Sequence, residues 1–105
     1  MSTQNYIDDW AEAIHNASPP ERDEWDWRQL YRYYAVLLLA KGDAVTDRDV
    51  HNAWAAWAAE NRPDHRSLVP FGALSKSIKD LDKPYTEAIR EVARWRAIIE
   101  EAPAE

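Results

Sequence analysis

The sequence contains no cysteine. Without thiols the chain can form no disulfide, no thiolate nucleophile and no cysteine-ligated zinc site. Histidine is scarce as well, because His15, His51 and His65 are the three in the chain. No two of them have the i, i+4 spacing of paired ligands on a metal-binding helix. We therefore predict that the protein holds neither a metal ion nor another cofactor.

Glycine and long apolar runs are also lacking. Gly42 and Gly72 are the two glycines, so the sequence has no glycine-rich loop to cradle a phosphate group. No apolar run approaches the roughly 20 residues that span a bilayer, and the N-terminal residues lack the basic start of a signal peptide. These absences predict a cytoplasmic protein that does not associate with a membrane.

Catalytic motifs are missing too. No serine lies in the G-x-S-x-G turn of a nucleophile elbow. The acid pairs Asp8/Asp9 and Asp80/Asp82 stand near predicted helix starts, where carboxylates interact favourably with the helix dipole. A catalytic dyad would need a concave and partly dry site, which short surface turns rarely supply. We predict a binding protein and not an enzyme.

Acidic residues are concentrated at one end of the chain. The formal net charge is −6, and residues 1–26 contain seven acidic residues and one basic residue, whereas the rest contains twelve of each sign. A binder of duplex DNA needs a cationic footprint, so we predict no nucleic-acid partner. The acidic quarter is either a solubilising surface or a patch that attracts a basic protein.

Apolar residues recur with helical spacing, which predicts a single, mainly α domain. The expected architecture is a compact bundle of about four helices with an extended crossover, in which a small β element is possible. The predicted helices cover residues 4–16, 25–41, 47–61 and 82–100, with a crossover over 64–74 and a short helical turn over 75–81. The last residues, 102–105, should fray.

Capping residues and apolar positions set finer expectations. We expect helix starts at Ser2 or Thr3, Thr46, Ser75 and Asp82, and a stop at Gly42. The crossover should be anchored in the core by Leu68, Val69, Phe71 and Leu74. The apolar stripe of the last helix is expected to run from Tyr85 through Trp95 (or Arg96) to Ile99. His15 is expected at the surface.

Basic and aromatic residues meet around the crossover. Five bases and three acids lie from Arg62 to Lys83, with His65 as a further positive group, and Trp54 and Trp57 approach from the third helix. Such a set suits an aromatic ligand that carries phosphate, because rings stack and guanidinium groups bind phosphate in pairs of hydrogen bonds. Alternatively, both tryptophans pack in the core and the bases form a solvated rim.

Three segments of the second half resemble the RyR domain, the module repeated in ryanodine receptors and also found alone in bacteria and phages. They are V-H-N-A-W at 50–54, L-V-P-F-G-A-L-S at 68–75 and K-D-L-D at 79–82, followed by an amphipathic helix, and the likeness covers residues 45–98. The family's aromatic, glycine-containing segment between the first two motifs, which helps to build a small sheet, is missing from 55–67. This short form looks like small proteins of actinobacteria and their phages.

The resemblance implies binding of a nucleotide-derived signal, such as an adenine nucleotide or an ADP-ribose-like molecule. By matching positions it carries over His51, Trp54, Leu68, Pro70, Phe71 and Leu74. We interpret Leu68, Phe71 and Leu74 as core residues, and His51 has the alternative role of a buried histidine bonded to the backbone. The candidate ligand-binding residues are His51, Trp54, Arg62 and Arg66.

A second hypothesis is a module that binds and inhibits a host protein through the acidic and aromatic N-terminal region. Six tryptophans and five tyrosines make such a surface plausible, because both residue types are frequent interface anchors. The candidate partner-binding residues are Tyr6, Trp10, Trp25 and Trp27. A homodimer formed through a shared aromatic face is also expected.

Overall fold

The computed structural model describes residues 4–20 and 26–101. The α-helices of these residues are α1 (Tyr6–Ala17), α2 (Arg28–Lys41), α3 (Asp47–Asn61), the single-turn α4 (Lys76–Lys79) and α5 (Lys83–Glu101). Short 3-10 turns lie at Gly42–Ala44, Phe71–Ala73 and Asp80–Asp82. The four long helices confirm the predicted bundle. Neither described range contains a strand, so the small β element that the sequence allowed is not found there.

The first helix begins with a capping box. The Asn5 side chain accepts hydrogen bonds from the backbone N–H groups of Ile7 and Asp8 at 2.9 and 3.2 Å, and the Asp8 carboxylate accepts one from the Asn5 backbone. Ser2 and Thr3, the caps expected from the sequence, lie outside the described residues. Asn5 is the actual cap because it combines a short acceptor side chain with an acid three residues later.

The ends of α2 and α3 follow sequence signals closely. Gly42 ends α2 with a φ of 58°, a left-handed conformation that glycine adopts without steric cost. Thr46 and Asp49 form a second capping box at the start of α3, as predicted. α2 begins at Arg28, later than the expected start near residue 25, because Asp26 and Trp27 precede it without helical structure. Trp25 itself and the expected frayed tail lie outside the described residues.

The core lies where α1, α2, α3 and α5 meet. Its largest fully buried side chains are Tyr31, Ile14, Leu38, Ile89, Val45, Val50 and Thr86. Five buried residues come from α2 and five from α3, so these two helices supply most of the core. None of the helices in the described ranges is both long and apolar enough to cross a bilayer.

The outer end of α5 departs from the prediction. Ala88, Ile89 and Val92 are buried as expected, but Trp95 and Ile99 are 55% and 49% exposed. The apolar stripe of α5 extends beyond the part that other residues cover. Helical spacing alone therefore predicts more buried residues than the structure has.

The crossover, residues 62–75, is attached to the core partly through its backbone. Leu68 packs against the core, and Phe71 and Leu74 are half-buried. Val69 is 38% exposed, contrary to the prediction, because its carbonyl and not its side chain faces inward, where it accepts a hydrogen bond from His51.

Polar contacts at one end of the bundle fix α5 against α3. The Thr86 hydroxyl donates to the Asp47 carboxylate at 2.6 Å, and the Lys83 ammonium lies 3.1 Å from the same carboxylate. Arg90 donates from Nε to the carbonyl of Val45 at 2.8 Å. These contacts set the position of the 3-10 turn that precedes α5, and this turn forms one wall of the candidate site.

Candidate functional site

A cavity of about 420 Å³ opens between α2, α3, the crossover and the turn before α5. We call it the central cavity. Its wall contains five aromatic side chains, which are Tyr31, Tyr34, Trp54, Trp57 and Tyr85. Its titratable and polar members besides the tyrosines are His51, Arg62, His65, Ser67 and Asp82. The cavity thus combines wide apolar walls with a few polar groups.

Trp54 occupies a central place in this wall. It is half-buried, and its ring stacks with His51 at 5.6 Å and meets the His65 ring edge to face at 4.9 Å. Trp57, one turn further along α3, is buried and has the Arg62 guanidinium 5.8 Å from its ring. The two tryptophans therefore belong both to the core and to the wall of the cavity. Core packing, one of the two alternatives drawn from the sequence, does not keep these rings out of the candidate site.

His51 is held in one orientation by the crossover. It is 3% exposed, and its Nε2 lies 2.6 Å from the carbonyl oxygen of Val69. Since a carbonyl oxygen only accepts, Nε2 carries the proton. In the neutral ring Nδ1 is therefore an acceptor. His51 is therefore bonded to the backbone, as one of its two expected roles required, and also forms part of the cavity wall.

His65 is held in place by its own neighbour. The Ser67 backbone N–H donates to its Nδ1 at 3.0 Å. The ring also packs edge to face against Trp54. His65 is thus positioned at the cavity wall by one backbone hydrogen bond and one aromatic contact.

The basic residues around the crossover divide into two groups. Arg62 lines the central cavity, whereas Arg66 is exposed and lies outside the lining. Lys76 pairs with Asp80 at 2.8 Å and Lys83 pairs with Asp47 at 3.1 Å. Of the two arginines singled out in the sequence, the structure brings only Arg62 to His51 and Trp54.

Asp82 is the cavity residue that sequence reasoning missed. It was interpreted as a helix cap, but its side chain lines the central cavity and is half-buried. Burial, opposed by His51 and assisted by the nearby Asp47 carboxylate, raises the pKa of this carboxyl to about 6. The described residues offer the carboxylate no hydrogen bond.

The candidate partner-binding residues do not form one surface. Tyr6 is 65% exposed, and Trp10 packs edge to face against Trp95 at 6.1 Å. Trp27 stacks on His15 with 3.8 Å between ring centres, so His15 is half-buried and not a surface residue. His15 lies about 140° round the helix from Trp10, which separates the two tryptophans. Trp25 lies outside the described residues.

In the described ranges, no group of three or more histidine, cysteine, aspartate or glutamate side chains is arranged to hold an ion. The wall of the central cavity contains one carboxylate and two imidazole rings.

Comparison with known proteins places the chain in a family. The sequence profile of that family matches residues 5–94, a range that includes α1, α2, α3, the crossover and most of α5. No curated protein and no solved structure gives a match. The resemblance to the RyR domain therefore stays a prediction. Because the matched range covers most of the chain, the protein belongs to the family described as Domain of unknown function (DUF7701).

Proposed function

We propose that the protein binds a nucleotide-derived small molecule in the central cavity and acts by binding, without catalysis. The observation that carries the proposal is the wall of this cavity, in which five aromatic side chains surround one arginine and one half-buried carboxylate. Small-molecule sites typically enclose about 300–1,000 Å³ and combine apolar walls with a few placed polar groups. A volume of about 420 Å³ lies in that range.

The parts of a nucleotide have counterparts in the wall. The half-buried ring of Trp54 offers a face to a base, and base–aromatic stacking contributes about 1–3 kcal/mol per base. Arg62, exposed at the start of the crossover, offers a guanidinium group to phosphate oxygens. The ring would lie inside the cavity and the phosphate at its mouth.

The RyR resemblance of residues 45–98 supports the same ligand class, because it implies recognition of nucleotide-derived signals. On this basis the protein is a sensor or a sponge for such a signal in a bacterium or its phage. The cavity is a second argument that does not depend on the resemblance. Its wall includes three of the four candidate ligand-binding residues, which are His51, Trp54 and Arg62.

The first test is the melting temperature of the protein with adenine and guanine nucleotides, ADP-ribose, and linear and cyclic dinucleotides. A ligand at 100 times its dissociation constant adds about 2.7 kcal/mol to the free energy of unfolding, a shift of several degrees for a domain of this size. A shift with one class of compound supports the proposal. No shift with any of them contradicts it.

A matched pair of arginine variants then tests the site. Arg62→Ala is expected to weaken ligand binding about tenfold or more by removing a charge-assisted contact. Arg66→Ala is expected to leave binding unchanged, because Arg66 is exposed and lies outside the cavity lining. Trp54→Leu keeps an apolar side chain but removes the aromatic face for stacking, and it should also weaken binding. Equal effects of the two arginine variants would show that the ligand binds elsewhere.

The second candidate is a module that binds a host protein, and the exposed apolar surface of the N-terminal and C-terminal helices favours it. Tyr6 is 65% exposed, and the Trp10 ring lies beside the exposed Trp95. Capture experiments with the wild type and with a Tyr6→Ala, Trp95→Ala variant distinguish the two candidates. A partner that is lost in this variant, together with no nucleotide effect on melting, favours the protein partner.

A further inference from the structure

Two inner polar groups of the central cavity offer hydrogen-bond acceptors. His51 uses its Nε2–H on the Val69 carbonyl at 2.6 Å, which leaves an acceptor nitrogen in the neutral ring. The ionised Asp82 carboxylate only accepts. The donors in the wall are the exposed guanidinium group of Arg62 and the hydroxyl and indole N–H groups of the serine, tyrosine and tryptophan side chains. A ligand that reaches Asp82 would be favoured by donors of its own.

Two lysines near Asp82 in the sequence, Lys76 and Lys83, are engaged with other acids. Lys83 lies 3.1 Å from Asp47 and 3.9 Å from Asp80, and Lys76 lies 2.8 Å from Asp80. Thr86 donates its hydroxyl to Asp47 at 2.6 Å. Asp82, in the same turn as Asp80, receives no hydrogen bond from any residue in the described ranges. A carboxylate removed from water without a donor is unfavourable, and a ligand donor would relieve that cost.

The backbone of Asp82 is fixed by helical structure. Asp82 ends the 3-10 turn Asp80–Asp82, and α5 begins at the next residue. Its backbone carbonyl oxygen lies 3.1 Å from the hydroxyl oxygen of the buried Thr86, which donates its proton to Asp47. The backbone that carries the carboxylate is therefore held in regular structure before a ligand arrives, which favours specific recognition.

We propose that Asp82 recognises the edge of a purine ring that carries two adjacent N–H donors, as guanine does at N1 and N2. The inference rests on the proposed function, since it names the class of nucleotide that the central cavity binds. Two parallel hydrogen bonds from guanine satisfy both carboxylate oxygens. Adenine presents one amino group beside a ring nitrogen that accepts, so one carboxylate oxygen would face a lone pair.

Calorimetric titration with guanosine, adenosine and xanthosine monophosphates at neutral pH tests this assignment. We expect the guanine nucleotide to bind the wild type at least about tenfold more tightly than the other two, in line with the discrimination given by one paired contact. Xanthine is informative because a carbonyl replaces the 2-amino group, which places an acceptor opposite the carboxylate.

The variant Asp82→Asn should invert this preference. An amide offers one acceptor and one donor, so it matches the N–H and C=O of xanthine and meets the second N–H of guanine with an N–H of its own. The guanine nucleotide should bind more weakly and the xanthine nucleotide more tightly. The matched control is Asp80→Asn, because Asp80 pairs with Lys76 and lies outside the cavity lining, and it should leave the wild-type order unchanged.

Two results would overturn the assignment, and they are distinguishable. If nucleotides bind but Asp82→Asn leaves their order unchanged, Asp82 does not recognise the base and the proposed function stands. If none of the three nucleotides binds the wild type, and the melting temperature responds to no other nucleotide, the assignment and the proposed function both fail.

Discussion

At the scale of single residues, the central cavity contains one buried polar side chain that has a hydrogen-bond partner and one half-buried side chain that has none among the described residues. His51 is buried and its Nε2–H is satisfied by the Val69 carbonyl. Asp82 is half-buried without a comparable partner in the residues described. A half-buried carboxylate without a partner lowers the free energy of unfolding. Ionisable groups with a shifted pKa are frequent at binding sites.

The pH dependence of stability tests this cost. The folded protein holds the Asp82 pKa at about 6, above the ordinary value of 3.8, so the fold binds that proton more tightly than the unfolded chain does. The destabilising effect of Asp82 is therefore absent below the ordinary value. It grows as the pH rises through the interval between the two values and is constant above.

Asp82→Asn should remove this effect. In the absence of ligand, we expect the variant to be more stable than the wild type at neutral pH by on the order of 1 kcal/mol, a figure reduced for solvent screening of a half-exposed group. The two proteins should become equally stable as the pH falls below the ordinary pKa of an aspartate. Urea unfolding of both proteins across this pH range measures the difference.

The control variant, Asp80→Asn, should change the free energy of unfolding at neutral pH in the opposite direction. A hydrogen bond from Lys76 lowers the pKa of Asp80, so its ionised form stabilises the fold at neutral pH and that stabilisation is lost at low pH. Asp80→Asn should therefore not stabilise the protein. A variant at Asp82 that is less stable than the wild type at neutral pH would mean that its carboxylate has a stabilising partner.

Sequence reasoning found part of the site for an identifiable reason. His51 and Trp54 lie on the same side of a helix whose boundaries are readable, so their neighbourhood follows from spacing. The place of Arg66 outside the lining and of Asp82 within it did not follow from the sequence, because the surroundings of both residues depend on contacts between distant segments. Lys83 pairs with Asp47, 36 residues away in the sequence, and not with the neighbouring Asp82. The spacing of residues within one helix does not predict which acid a lysine pairs with.

At the scale of elements, helix ends were predictable where a cap and its reciprocal acid lie close in sequence. In α3 the Asp49 backbone N–H donates to the Thr46 hydroxyl at 3.2 Å, and the Thr46 backbone N–H donates to the Asp49 carboxylate at 2.9 Å. Ser75 precedes α4 as predicted, yet its side chain makes no capping hydrogen bond and lies 3.3 Å from the Ser77 hydroxyl instead. A cap residue in sequence is thus not always a cap in structure.

These two positions form a matched pair for mutagenesis. Thr46→Ala should lower the free energy of unfolding by about 1 kcal/mol, because it leaves a helix-start N–H without its acceptor. Ser75→Ala should change it by less than about 0.5 kcal/mol, as surface substitutions without such a role do. Midpoints of urea unfolding measure both. Equal losses would mean that Ser75 caps α4 in solution.

The extent of burial along α5 was the least predictable property of an element. Its apolar residues follow helical spacing to Ile99, but the packed part of the stripe is the part around Ala88, Ile89 and Val92. Periodicity predicts which side of a helix is apolar, whereas the length of the covered part depends on the helices that pack against it. The outer end of α5 is therefore apolar and exposed.

At the scale of the whole molecule, this exposed end gives the domain a second feature besides the central cavity. Ile98 is 69% exposed and Trp95 is 55% exposed, and Trp10 of α1 packs beside Trp95. Contiguous exposed apolar side chains often mark a protein interface, whereas single ones need no explanation. The homodimer expected from the surplus of aromatic residues would use this surface.

We predict that the protein self-associates through this surface, and that the association is weak. A standard-size interface takes about 800 Å² from each partner, which is far more than a few side chains at the end of one helix supply. In sedimentation equilibrium the average mass should rise towards that of a dimer only at high protein concentration. Ile98→Lys should abolish the rise by placing a charge in the contact.

The matched control is Val36→Lys, because Val36 is a singly exposed apolar residue on α2 at 54% exposure. This variant should self-associate as the wild type does. A mass that stays monomeric at every concentration would leave the exposed end of α5 without a role in self-association. The same Ile98→Lys variant should keep its nucleotide response, since Ile98 lies outside the lining of the central cavity. Loss of both properties together would instead indicate that the two regions of the molecule are coupled.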